Sequence, residues 1–313
     1  MVKTNRSLAT AHPLRRRIWR HWELYLFLLP AVLYLLLMHY GPMYGVVIAF
    51  QDYKPRKGIT GSEWVGLKHF IRLFNMANFG TYLKNTLVIS FYSLLAGFPL
   101  PILLALSLNS CKHGRLKKVV QTSSYAPHFI SMVVIVSMIN VFFSPTTGVV
   151  AGILKRMGLL EGTLRVLMSP EAFPHLYVWS GVWQELGWGS IIYIGALSGV
   201  DESLHEAALI DGANKVQRIV NIDFPLIVPT IVVMLILRSG SIMSVGFEKA
   251  FLMQNSLNLS ASEVISTYTY KVGIKEGQYS FSSAVGLFNS VVNFAMVMIV
   301  NQISRRVGDT SLW

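Results

Sequence analysis

Six long apolar runs constrain this chain more than any other feature. They fall at 24–38, 82–108, 119–143, 176–200, 225–243 and 281–303. A helix rising about 1.5 Å per residue needs about 20 apolar residues to cross about 30 Å of hydrocarbon. Only the first run is short, and residues 40–50 are available to extend it. Backbone groups in lipid must be bonded within the structure. No ten-residue alternation of apolar and polar positions is present, so helices are expected rather than a barrel. The predicted fold is all-α and integral to a membrane, with six transmembrane helices. A mean hydropathy of +0.50 and a charged fraction of 13% exclude a soluble domain of 313 residues.

The first run has no small-residue cleavage site, and Tyr40-Gly41-Pro42 follows it, so it is expected to remain as the first helix. The single cysteine, Cys111, excludes an internal disulfide. Orientation follows from Lys and Arg in the loops. With the amino terminus in the cytoplasm, fourteen lie inside, in the tail, after the second run, in the 201–224 loop and at the end. Twelve lie outside, spread over longer loops, and Arg238 falls within the fifth run. The net charge of +12 is therefore largely topological, and no soluble domain exists to carry a nucleic-acid groove. The expected organisation is a basic cytoplasmic tail (1–22), one six-helix domain (23–304) and a cytoplasmic end (305–313), with no internal repeat.

Of the cytoplasmic loops, only 201–224 is long enough to fold. Ser203-Leu-His-Glu206 fits a capping box, which predicts a helix starting there. Asp211-Gly212 should end it, since glycine takes the left-handed conformation without steric cost. A second short helix is expected over 213–220, with Ala213, Val216, Ile219 and Val220 on one side, and Pro225 should then open the fifth membrane helix. The expectation is a helix-turn-helix across the cytoplasmic face.

Residues 206–225 read EAALIDGANKVQRIVNIDFP. Glu206-Ala207-Ala208, Gly212, Ile222 and Pro225 match the pattern E-A-A-x-x-x-G, nine residues, I-x-x-P. This resembles the permease subunits of binding-protein-dependent ATP-binding-cassette importers. Phe224 stands where the family more often has leucine. The stretches YGPMYGVVIAFQDY at 40–53, Asn85-Thr86, and ASEVISTY at 261–268 look like the sugar-importing branch, especially its polysaccharide-oligomer and alginate-oligosaccharide permeases. The resemblance covers nearly the whole chain.

It implies the type I importer fold, in a bacterial cytoplasmic membrane with both termini inside. The 206–212 segment would be a coupling helix seated in a cleft of the ATPase, contacted through Glu206, Ala207, Asp211 and Gly212, with Ala207 and Ala208 small to allow close approach. The implied partners are a second permease, an ATPase dimer that holds ATP and Mg, an external solute-binding protein, an oligosaccharide and the lipid bilayer. No cofactor is implied on this chain.

Sugars are gripped by aromatic faces and hydroxyl-pairing groups, so polar and aromatic residues inside apolar helices are the pathway candidates. These are Trp183, Glu185, Gly187, Trp188, Ser190 and Tyr193 in the fourth run, Arg238, Ser241 and Ser244 in and after the fifth, Glu248 beyond it, and Asn289 and Asn293 in the sixth. In maltose-type importers the segments equivalent to 183–190 and 241–248 line the path. The bland readings stand beside these. Tryptophan anchors helices at interfaces, small residues serve helix packing, and Arg238 has the option of a partner-subunit carboxylate.

The chain has no G-x-x-x-x-G-K-[ST] phosphate loop: Gly61 and Gly66 are followed by Leu67-Lys68. Its eight histidines show no metal-ligand spacing, so no metal site is expected. The rival readings are a stand-alone secondary transporter or channel, and an integral-membrane enzyme, for which no convergent acid-base or nucleophile set is found. The positive outer loops, with Lys54, Arg56, Lys57, Lys68 and Arg72, suit an anionic sugar oligomer or an acidic binding-protein face equally.

Overall fold

A computed structural model describes residues 22–307, so most of the tail and the last six residues lie outside it. Within that range the chain is helical except for loops and a two-residue antiparallel ribbon, β1 (Gln51–Asp52) with β2 (Glu63–Trp64). Four helices are long and apolar enough to cross a membrane: α1 (Trp22–Phe50), α2 (Phe79–Asn109), α7 (Lys215–Ser239) and α9 (Tyr279–Val307).

The third run is not one straight helix. It divides into α3 (Gly114–Phe129) and α4 (Met132–Phe142), bent by 101°. Pro127 tightens the end of α3 into a 3₁₀ turn, and Ser131 restarts the chain by accepting a hydrogen bond from the Val134 amide at 3.4 Å. The fourth run forms α5 (Ala172–Leu197). Its 26 residues suffice to span a bilayer, but Gln184, Glu185 and several tyrosines and tryptophans make it less apolar than the other four.

The first helix is longer than its apolar run implied. It continues through a π turn (Leu36–Tyr40) and a 3₁₀ segment (Tyr44–Phe50), so residues 40–50 do extend it and the loop that follows begins after Phe50. The π turn answers a local need. Pro42 has no amide hydrogen and its ring presses on the carbonyl four residues back. The Gly41 amide bonds to the Leu36 carbonyl, five back, which shifts the ladder by one residue just before the proline. The same device recurs before Pro225, where the Phe224 amide bonds to the Ile219 carbonyl.

In α1 the stretch Trp22–Leu35 buries nothing within the chain, whereas its far end packs on α9 around the fully buried Ala49. The centre of the bundle is α5 lying along α2. Near the 201–224 loop, Ile102, Ala105 and Leu106 of α2 meet Tyr193 and Leu197 of α5 and Ile227 of α7. Further along, Ile89 packs with Ile135, Phe173, Tyr177, Val178 and Met253. Helices in lipid gain little from apolar burial and depend on close fit. Gly187 supplies it, since a Cβ there would lie 2.2 Å from the Ser124 carbonyl oxygen of α3.

The fifth helix ends at Ser239, earlier than its apolar run. The chain then turns through 240–246 into the short α8 (Phe247–Met253). Asn293 of α9 holds that turn, accepting from the Met243 amide at 2.8 Å and donating to Ser244 Oγ at 3.2 Å.

Candidate functional site

The loop between α5 and α7 contains one free-standing helix, α6 (Glu202–Ile210). Its start differs from the predicted capping box. Asp201, in extended conformation, accepts from the Ser203 amide at 3.0 Å, and that bond holds the Asp201 carboxyl below the usual carboxylate range. Ser203 therefore sits inside the first turn. Its S-x-x-E match loses to the aspartate two residues earlier, where the chain is already extended.

The end falls at Asp211-Gly212. Gly212 has φ +76°, its amide bonds to the Leu209 carbonyl at 3.1 Å, and the Ala213 amide bonds to the Ala208 carbonyl at 2.8 Å. These two bonds make a Schellman motif.

The second helix is not the separate piece predicted. Asn214 and Gln217 form a reciprocal capping box, at 2.7 and 2.9 Å, and α7 then runs unbroken from Lys215 through the π turn Ile219–Asp223 into the membrane segment. Pro225 lies within this helix instead of opening it, because the widened turn absorbs its missing donor. The loop is thus one lever, α6, joined by a tight turn to the root of α7.

Glu206, Ala207, Asp211 and Gly212 are exposed on α6, and Ala208 is half-buried beneath them. Ile222 is half-buried and Pro225 exposed on α7. Sequence reasoning missed two neighbours. Leu209 and Ile210 are apolar and 54% and 87% exposed, which marks a surface built to be covered. The side of α6 away from Ala207 and Ile210 faces the bundle, where His205 Nε2 lies 3.2 Å from Oδ1 of the buried Asp223.

The pathway candidates separate into two groups. Glu185, Arg238, Ser241 and Ser244 line two cavities of about 180 and 200 Å³ that share Ser93, Tyr177 and Arg238. Glu185 Oε2 is 3.1 Å from His128 Nδ1, and the His128 ring stacks on Trp188 at 4.3 Å. Lys249, which the sequence had placed in an outer loop, is buried at the rim. Its ammonium donates to the Tyr177 carbonyl at 2.7 Å and sits over the Tyr177 ring. The apolar neighbours of α8 draw it inward, a tertiary effect with no local signal. The Arg238 guanidinium makes no hydrogen bond or ion pair among the described residues.

The other candidates stand elsewhere. Gly187 packs against α3, Ser190 donates to its own helix at Gly187, and Tyr193 lies in the core. Trp183 faces a separate apolar cavity with Ile135, Phe142 and Trp179. Glu248 is exposed away from both polar cavities, Asn293 braces the turn, and Asn289 Oδ1 is buried without a hydrogen-bond partner among the described residues.

A polytopic helical chain with polar internal cavities and an exposed short helix between two of its spans is built as a membrane transport subunit. The comparisons agree with that class. The chain belongs to the binding-protein-dependent transport system inner membrane components, whose family model matches residues 97–309. It is 44% identical to the polygalacturonan/rhamnogalacturonan transport system permease protein YteP of Bacillus subtilis, over 93% of this chain and 90% of that protein. Protein LplB of the same organism is 42% identical over 100% and 96% of the two chains. A chain in the crystal structure of a bacterial alginate transporter, complexed with a periplasmic protein bound to alginate pentasaccharide, superposes with a TM-score of 0.87. The identity there is 40%, covering 96% of this chain and 100% of that one. The present chain is a non-catalytic, membrane-spanning permease subunit of a binding-protein-dependent transport system.

Proposed function

We propose that this chain forms half of the translocation path for an acidic oligosaccharide and takes up the motion of an ATPase dimer through α6. The carrying observation is the lever itself. Its nine residues are capped at both ends, exposed along Glu206, Ala207 and Ile210, and tied to the bundle on the other side. The second permease, the ATPase dimer with its ATP and Mg, and the external solute-binding protein are the partners this reading requires, in a lipid bilayer and without nucleic acid.

Six spans then follow, from α1, α2, the bent pair α3–α4, α5, α7 and α9. They make one domain over 23–304 with cytoplasmic ends at 1–22 and 305–313. This arrangement places α6 in the cytoplasm of a bacterial inner membrane. Cys111 follows the α6-proximal end of α2 and is partly accessible. A membrane-impermeant maleimide is expected to label it in inside-out vesicles and not in intact spheroplasts. Labelling of sealed spheroplasts would reverse the orientation.

Support for an acidic cargo comes from charge and from the relatives. Arg238 and Lys249 both face the cavity: Lys249 is held on the Tyr177 carbonyl with Glu185 in the same wall, and the Arg238 guanidinium has no carboxylate partner among the described residues. A uronate carboxylate suits such a pair, since a desolvated cation without a counter-ion in a membrane is costly. Two of the proteins named above carry acidic polysaccharides in their names, polygalacturonan/rhamnogalacturonan for YteP and alginate for the solved transporter. In a reconstituted complex with its binding protein, uronate oligosaccharides are expected to stimulate ATP hydrolysis more than neutral oligosaccharides of equal length. Equal stimulation would remove the acidic cargo.

A further inference from the structure

Asp223 is 2% exposed, and its Oδ1 accepts from Asn109 Nδ2 at 3.1 Å and lies 3.2 Å from His205 Nε2. Three elements meet at that oxygen. Asn109 is the last residue of α2, His205 belongs to α6, and Asp223 closes the π turn of α7. A cavity of about 410 Å³ lies beside the junction, with Lys112, Lys215 and Arg218 among its walls. None of the matched signature residues takes part.

A carboxylate is an expensive residue to bury, and it persists only where donors and nearby positive charge repay its lost hydration. Here one hydrogen-bond donor, the Asn109 amide, and one ion-pairing group, the His205 imidazole, both come from helices other than its own. The free energy that keeps Asp223 inside therefore depends on keeping α2, α6 and α7 together. Apolar contact would allow α6 to slide, whereas a polar contact to the same oxygen that Asn109 bonds fixes where α6 sits relative to α2 and α7. The His205–Asp223 contact joins α6 to the bundle away from its two chain connections, at Asp201 and at Gly212.

We propose that Asp223 is a positioning residue that locks the lever to the roots of α2 and α7, so that displacement of α6 moves both helices as a unit. This rests on the reading in which α6 receives the ATPase motion. Asn109 and His205 are the two arms of the lock. Its loss lets α6 follow the ATPase while the membrane helices lag, so ATP is spent with fewer transport events.

The test uses the complete importer in proteoliposomes, supplied with its binding protein and a sugar that the wild type transports. The readout is sugar moved per ATP hydrolysed. Asp223→Asn keeps the shape and removes the charge. It is expected to assemble with its partners and lower that ratio about fivefold or more, the scale of a coupling free energy between sites. His205→Gln is expected to lower it in the same direction, and the exchanged pair Asp223→His with His205→Asp to restore part of it.

An unchanged ratio in D223N overturns the lock, as does a fall in transport that only tracks a fall in assembled complex. Should D223N fail to assemble, H205Q carries the decision, and a wild-type ratio there overturns the proposal. A parallel Ala207→Trp arm separates the two ideas. If A207W transports normally, the lever reading fails whatever Asp223 does. If A207W uncouples and D223N does not, only the lock fails.

Discussion

Ala207→Trp should abolish sugar uptake while the permease remains in the membrane. Ala207 is exposed on α6 and makes no contact that the fold needs, so the larger side chain costs the bundle nothing. In a packed protein interface the extra atoms force a displacement that costs about 2–3 kcal/mol or more, and transport is expected to fall about 100-fold. The measurement pairs uptake in whole cells with co-purification of the ATPase on a tagged permease. Loss of uptake with loss or weakening of co-purification fits a seated helix. Normal uptake would show that the Ala207 side of α6 is not a docking surface.

Arg238→Glu should change what the importer accepts more than how well it runs. The guanidinium is shared by the walls of both polar cavities and makes no ion pair among the described residues. Reversal places a carboxylate beside Glu185 and leaves Lys249 as the cation of the cavity. A charged hydrogen bond lost is worth about 1.5–3 kcal/mol, so uptake of uronate oligosaccharides should drop by about 10- to 100-fold. Neutral oligosaccharides delivered by the same binding protein should be much less affected. Equal losses for both would make Arg238 a structural residue, paired with a group on the second permease.

Much of the lever was legible in the sequence, and the parts that were not have identifiable reasons. Gly212 could be placed as the stop because only glycine takes a φ of +76° there without strain. The start was misjudged because Ser203-x-x-Glu206 and Asp201 are competing caps two residues apart, and backbone direction out of α5 chose between them. The bend between α3 and α4 was hidden by an unbroken apolar run. Hydropathy is blind to direction, and only Pro127 and Ser131 carried the signal.

Within the membrane the sequence named residue types correctly but could not sort them by direction. Glu185 and Gly187 are two positions apart on one helix, yet one faces the cavity and the other presses on α3. Lys249 was invisible because nothing local marks a lysine for burial. Asp223 was overlooked for a related reason: it lies inside a matched signature at a position the signature leaves open.

The π turn at the root of α7 has a consequence for how such levers can differ between proteins. Each residue of an α-helix advances the chain by about 100°, so the extra residue held in Ile219–Asp223 rotates α6 by about that angle relative to the membrane part of α7. Side-chain chemistry leaves this azimuth untouched, and a count of residues sets it. Substitution can tune the grip of the lever, but only insertion or deletion can re-aim it.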